Sequence, residues 1–559
     1  MVRAMATALE RPRETMGTGG KRADFDLLRH NLGMASALEQ FLAPTYGPGG
    51  RAKLFLDAKG KAVPTTDGAR MLTLLESPHP VGKIVAGIAA AQDEQWRDGT
   101  KLAALLALRL LRRSGALLDR GVRPARIVRG YEIGLEWAIE ALTAIAPRRD
   151  PFEAGLLVEV AGGSLGGWLE ASPRQRLADE IVRAATQVAI PAGPGWRCDR
   201  RDIHVSAKGR GGFSVQRIDG YVLDRSRDDA TLPARIEDAR IALFDAAPIR
   251  GKAGIHESRL RWIGDTAIRL KSPSEAEAYA SFGETYTEEI VAGLRRSGAT
   301  VVLCRLGISD YGHKLLAKAG ILGIRRIMRT AIMEDIARAT GAALIKNFRQ
   351  VSPDLLGHAG LVEERKIGGS KCLVIDRCAN PKVVSLLLSA PGDAAAEPYE
   401  TLARKAIAAV AAVIEDPRVV PGGAGAEMAA SLRVRRAADG VEGREQLAVD
   451  AFGRALEDIV ACLAANLGLD PRDSVLALRA VCTRNPEAGL LAEAKGPADR
   501  AHGLFWEPLA PQVAAWRRAV EATCTILRAD DFHKVSRRPA PSETKDRTEG
   551  SATPHGESD

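Results

Sequence analysis

Six consecutive residues, Trp96-Arg97-Asp98-Gly99-Thr100-Lys101, run directly into the apolar stretch Leu102–Leu111. A glycine turn that feeds a helix N-terminus presents unpaired backbone N–H groups and the positive end of the helix dipole, which favours phosphate. In that setting Asp98 is placed to hold a metal ion such as magnesium, and Thr100 to donate a hydroxyl. Two more glycine turns lie upstream, Gly47-Pro48-Gly49-Gly50 and Thr66-Asp67-Gly68-Ala69, and a fourth, Val419-Val420-Pro421-Gly422-Gly423, lies far downstream. Taken singly, each is an ordinary turn or helix cap. No nucleophile–base pair, no histidine pair at metal-binding helical spacing and no dinucleotide fingerprint accompanies them.

The elements that must position these turns divide into blocks. Residues Asp24–Ile145 carry apolar side chains at three- and four-residue spacing, the mark of amphipathic helices. The middle changes character. Gly211-Gly212 and Asp219-Gly220 punctuate short β-rich runs, Tyr221–Leu223 and Arg240–Phe244. A βα alternation follows: strand Thr300–Cys304, a helix near His313–Lys318, strand Ile324–Met328, helix Met333–Thr340 and strand Ala343–Ile345. Helical periodicity returns from Thr401 to Lys534. The expected fold is therefore mostly α with an inserted α/β domain, the helical part being built from both ends of the chain. Ser272-Pro273-Ser274-Glu275 is a capping box with proline at the first helical position. Residues 1–22 and 536–559 lack hydrophobic periodicity and are expected to be disordered.

Composition narrows the function classes. The 559 residues carry a net charge of +9, but the basic residues lie along helices, as in Leu111-Arg112-Arg113 and Arg433-Val434-Arg435-Arg436, without interleaved aromatics. Solvated helix faces, and no nucleic-acid partner, are expected. Seven cysteines without a C-x-x-C pair fit a reduced compartment. Arg and Glu stand near the N-terminus where a signal peptide needs an apolar run, and no stretch is long enough to span a bilayer. A cytoplasmic protein with no membrane partner is expected.

In order and spacing, the glycine turns resemble the nucleotide-binding motifs of group II chaperonins, the thermosome and eukaryotic cytosolic chaperonin family. Tyr46–Lys53 resembles LGPKGMDK, Thr65–Ala69 resembles TNDGA, Gln92–Thr100 resembles QDDEVGDGT and Val419–Glu427 resembles VVPGGGAxE. The likeness continues through Ser272-Pro273, Gly320–Arg326, Gly360–Lys366, Leu469-Asp470-Pro471, Glu507-Pro508-Leu509 and Thr525–Asp531, and covers about Asp24–Val535. It implies a three-domain chaperonin architecture. An equatorial helical bundle would take residues 23–145 and 409–535, a small intermediate hinge domain 146–215 and 369–408, and an apical α/β domain with a helical protrusion 216–368. It further implies self-association, or association with related subunits, in a double ring that binds unfolded or partly folded proteins. Gly47, Pro48, Asp98, Gly99, Thr100, Lys101, Gly422, Gly423 and Asp499 are the implied nucleotide contacts, Asp98 would hold magnesium, and Asp67 is a retained catalytic carboxylate.

The chain departs from the family where hydrolysis would occur. The aspartate that positions the attacking water stands thirteen residues before the arginine that precedes VVPGG; counting back from Arg418 gives Lys405, and no Asp or Glu occurs from Thr401 to Ile414. An ammonium only donates, so it cannot take a proton or orient water as a base does. The glycine before the phosphate-loop aspartate is Arg97, the second threonine is Lys101, and the third glycine of PGGG is Ala424. The resemblance thus implies a chaperone subunit that binds unfolded protein and ATP with magnesium, with hydrolysis weak or absent. The alternative is a non-hydrolysing holdase, or a structural subunit of a mixed ring, with no cofactor required. Arg97, Lys101 and Lys405 would replace part of the bound-cation charge.

Overall fold

The computed structural model describes residues 20–56, 60, 62–166, 169–209, 212–245, 285, 287–346, 350–367, 370–380, 382–499 and 503–529. The capping box at Ser272–Glu275, residues 1–19 and the tail 536–559 lie outside them. Helix α1 (Gly20–Leu42) begins inside the segment 1–22 expected to be disordered. A hairpin of β1 (Lys53–Leu56) and β2 (Ala62–Thr65) follows, then α2 (Gly68–Leu74), α3 (Pro80–Trp96), α4 (Thr100–Asp119) and α5 (Pro124–Ile145). Proline opens α3 and α5 at a position whose N–H would be unpaired in any case. From Leu102 to Leu111, α4 is buried on nearly every side, as a helix at the centre of a bundle must be.

Two helices, α6 (Ala154–Leu165) and α7 (Ala171–Val188), lead to the short hairpin β3 (Ile190–Ala192) and β4 (Gly195–Arg197), then β5 (Ile203–Lys208) and β6 (Ser214–Ile218). Strands β7 (Gly220–Leu223) and β8 (Arg235–Phe244) open the α/β part. It continues with a helix over 287–297 (α8), β9 (Val301–Cys304), α9 (Asp310–Lys318), β10 (Leu322–Ile324), α10 (Thr330–Thr340), β11 (Leu344–Ile345) and the long antiparallel pair β12 (Gly357–Ile367) and β13 (Ser370–Cys378). These strands form one mixed sheet in the order β10-β9-β8-β12-β13-β7, with β11 also on β8. The parallel strands β9 and β10 are fully buried runs, as strands covered on both faces by helices read.

Strand β14 (Val384–Ser389) returns between β5 and β6, and α11 (Asp393–Glu415) follows it. The chain then re-enters the helical bundle through β15 (Val419–Pro421), α12 (Gly425–Ala438), α13 (Glu445–Asn466), α14 (Pro471–Cys482), the hairpin β16 (Gly489–Leu491) and β17 (Gly496–Ala498), β18 (Trp506–Pro508) and α15 (Leu509–Arg528). Leaving and returning segments run side by side: the Arg149 N–H donates to the Pro417 carbonyl at 2.9 Å.

Three large cores result. Leu38, Leu105, Leu108 and Tyr131 from the first helices share one with Phe452, Leu456 and Trp516 from the last. Sheet and helices of the α/β part enclose Leu243, Val302, Leu316 and Ile336 in a second. The third joins Leu156 and Ile181 to Leu386, Ala406 and Val410. Mostly α with an inserted α/β part is therefore the observed fold class. The expected divisions at 215/216, 368/369 and 408/409 fall inside β6, within the β12–β13 pair and inside α11. Leu402, Ala406, Val410 and Ile414 of α11 all belong to the third core, and β13 pairs with β12 and β7.

Candidate functional site

Helix α13 ends against the first glycine loop. Its Asn466 side chain donates from Nδ2 to the carbonyls of Ala43 and Tyr46, both at 2.8 Å. Gly47 adopts φ +76°, and Gly49 lies where a Cβ would sit 2.2 Å from the Asn466 carbonyl, so bulk is excluded. Gly166, at the end of α6, closes on the Cα of Pro48.

Asp67 caps α2: its Oδ1 accepts from the Arg70 N–H at 2.9 Å, and its own N–H donates to Thr65 Oγ1 at 3.1 Å. Its other oxygen faces α11, where Lys405 Nζ stands 3.4 Å from Oδ2, both side chains being largely buried. Burial works against the Asp67 carboxylate, but the Lys405 ammonium, the Arg70 N–H and Lys101 outweigh it and hold its pKa below the ordinary value.

The phosphate-loop turn is held from behind. Gln92 donates from Nε2 to the carbonyls of Asp98 and Pro511, at 2.9 and 3.1 Å, and a Cβ on Gly99 would meet that nitrogen. Gly99, at φ +73°, forms the N-cap of α4, and its N–H donates to Asp98 Oδ1 at 2.8 Å. Thr100 begins the helix, buried beneath Gly68. The stem of Lys101 also runs under Gly68, and its ammonium donates to the Thr45 carbonyl at 2.5 Å. Burial and the facing charge of Lys405 draw the Lys101 pKa down to about 7, against the pull of Asp67 and Asp98.

Strand β15 pairs with β18, bringing Val420 opposite Glu507. Gly422 donates its N–H to the Phe505 carbonyl at 3.0 Å, and Gly423, at φ +61°, packs so closely on Leu490 that a Cβ would approach its carbonyl to 2.3 Å. Leu490 belongs to the β16–β17 hairpin that leads to Asp499, whose carbonyl accepts from the Leu504 N–H. Burial pushes Glu427 up to about 7, and burial, Glu427 and Asp98 push Glu507 up to about 8.

The structure thus gathers the Thr45–Pro48 loop, Asp67, Asp98, Gly99, Thr100, Lys101 and Lys405, while Gly422 and Gly423 form the turn after β15. Arg97 stands apart. It caps α3 in the left-handed conformation and pairs with Asp93 at 3.2 Å, half exposed. A cleft of about 510 Å³ opens there, lined by Asp67, Asp93, Lys405, Arg70, Arg97 and Arg404. Sequence reasoning grouped Arg97 with Lys101 and Lys405 around the phosphate loop; the structure sets Arg97 in one cleft with Lys405, while the Lys101 ammonium is on the Thr45 carbonyl. It also missed Glu427 and Glu507 as buried titrating groups, since nothing local signals a contact between residues so far apart in sequence.

The glycine turns and the start of α4 suit a nucleotide: the N-terminus of a long helix, left-handed glycines and no room for side chains. For magnesium the donors are Asp98 and the Thr100 hydroxyl, which would need phosphate oxygens and water to complete the shell. Among the described residues no three or more His, Cys, Asp or Glu side chains converge as a metal site.

The sequence profile of the TCP-1/cpn60 chaperonin family matches residues 38–536. Thermosome subunit beta of Saccharolobus solfataricus is 35% identical over 542 residues, covering 96% of this chain and 95% of the relative. Thermosome subunit beta of Saccharolobus shibatae is 36% identical over 518 residues, 92% and 91% of the two chains. The thermosome subunit of Methanopyrus kandleri is 36% identical over 508 residues, 90% and 91%.

Proposed function

The chain belongs to the TCP-1/cpn60 chaperonin family, in its group II branch, and on that premise we propose that it is a cytoplasmic ring-forming subunit that binds unfolded protein and ATP with little or no hydrolysis. The helical bundle would be the equatorial domain, the body of α6, α7 and α11 the hinge, and the mixed sheet the apical domain that meets client proteins.

One observation supports the loss of hydrolysis: Lys405, where the resemblance expects the water-positioning aspartate, is paired with Asp67 at 3.4 Å. A phosphoryl-transfer site needs an acceptor that orients the attacking water. Here the ammonium is a donor, and its carboxylate partner Asp67 is committed to that ammonium and to the cap of α2. When bound, ATP would supply phosphate charge to the N–H groups of the α4 start. Thr45–Pro48, Gly422 and Gly423 would hold it and exclude bulk.

Phosphate release from purified protein with ATP and magnesium, measured beside electron microscopy of the same sample, tests this. Rings with release at the buffer background are expected. Sustained turnover would overturn it. Lys405→Asp alone is expected to restore less than a tenth of the turnover of a hydrolysing thermosome measured in parallel, because Lys101 still fills the phosphate turn; turnover equal to that control would show that Lys405 was the whole defect.

A further inference from the structure

Two ammonium groups converge on this site from opposite sides, and both are built in. Lys101 approaches from α4, its stem pressed so closely beneath Gly68 that a Cβ there would meet its Cγ at 2.6 Å, with Nζ on the Thr45 carbonyl. Lys405 approaches from α11, with Nζ on Asp67. Thr45 opens the first glycine loop, Asp67 caps α2 and Thr100 begins α4, so both ammonium groups lie among the segments that would surround a phosphate chain.

Charge decides what this arrangement prefers. The resemblance expects an aspartate at position 405 and a threonine at 101, so Lys405 and Lys101 add two positive charges and up to one more to the site. A magnesium ion brings two. Within the group now present, Lys405 stands on Asp67, and Lys101 lies near enough to Asp67 and Asp98 to feel both carboxylates. Asp67 already has its counter-ion, so of the two aspartates that the glycine turns supply a divalent cation would find Asp98, against a field from Lys405, joined by Lys101 where it is protonated, that opposes its entry. A phosphate oxyanion meets the opposite field. Arg97 lines one cleft with Asp67 and Lys405, but its guanidinium is paired with Asp93 at 3.2 Å.

We infer that this chain binds the phosphate chain of a free, metal-less nucleotide, with Lys101 and Lys405 in place of the divalent cation. The inference rests on the nucleotide-binding reading above and goes beyond it by naming the ionic form of the ligand. It also gives the non-hydrolysing site a positive chemical preference: the lysines do more than disable it.

Affinity for ATP, read by titration calorimetry on the full-length protein, is compared in excess EDTA and in excess magnesium. Affinity in EDTA equal to or tighter than that in magnesium, within threefold, is expected. The Lys101→Thr, Lys405→Asp double variant should lose at least tenfold in EDTA and recover in magnesium, with circular dichroism confirming that it is folded. Binding by the unaltered protein that vanishes in EDTA overturns the inference while leaving nucleotide binding intact. No heat of binding in either buffer overturns the nucleotide reading itself. A folded double variant that binds ATP in EDTA as tightly as the unaltered protein shows that the two ammonium groups are not the counter-charge.

Discussion

Asp67 and Lys405 are a pair that neither half can leave without cost. Both are largely buried, and removing one partner of a buried pair typically costs ~3–5 kcal/mol, because the other charge stays desolvated. Lys405→Ala is expected to destabilise by roughly 3 kcal/mol at pH 7 in urea titrations. Because the Asp67 pKa is depressed in the folded chain, the contribution is present above the unfolded carboxylate value and is lost as pH falls through the folded one. The deficit of the variant should therefore shrink in acid; one that stays constant down to pH 3 would mean that the lost stem packing of Lys405, not its charge, sets the cost. Glu427 behaves in the opposite sense. Burial raises it to about 7, so the folded chain binds its proton more tightly than the unfolded chain does, and stability falls as pH rises from about 4.5 to about 7. Glu427→Gln is expected to stabilise by up to ~3 kcal/mol at pH 8 and by little at pH 4.5, at ~1.4 kcal/mol per pKa unit. An equal effect at both pH values would place the benefit in the Gln512 contact instead.

At the scale of elements, the short connection between α3 and α4 decides which side chains reach the site. Arg97 sits at φ +56°, where L-residues other than glycine are strained by ~1–2 kcal/mol, and its exposed pair with Asp93 returns at most ~1 kcal/mol. Arg97→Gly is therefore expected to raise thermal stability modestly, by roughly 1 kcal/mol, without changing nucleotide affinity. A fall in that affinity would show Arg97 to be a ligand contact after all. This element also marks the limit of what the sequence reveals. The glycine turns, the proline at the head of α3 and the apolar run of α4 were legible because their signals are local. The strand expected at Ile324–Met328 ends at Ile324, and Met328 is 61% exposed, since an apolar run alone does not say where pairing with β9 stops. Contacts such as Lys405 with Asp67, or Gly423 with Leu490, depend on how separate bodies close on each other, and no local pattern encodes that.

On the scale of the whole molecule, the mirror-like return of helices at the chain's end was readable as one bundle, and Trp516 beside Leu105 in a common core is its physical expression. How copies meet is less legible, because an interface in one chain looks like a mistake in its burial. The β1–β2 hairpin is such a place. Phe55 turns inward toward Phe41, with ring centroids 6.3 Å apart, while Leu54 and Leu56 on the other face are 73% and 77% exposed. A two-stranded sheet has open edges, and alternate leucines on one face of it hold apolar surface in water that a neighbouring chain would cover. If the chain assembles as proposed, Leu54→Glu with Leu56→Glu should shift it from rings to smaller species in gel filtration and electron microscopy. The stability of the single chain should change by no more than ~0.5 kcal/mol per exposed site, since neither leucine is packed. Rings that persist in the double variant would remove the hairpin from the interface and leave its leucines as candidates for contact with client protein.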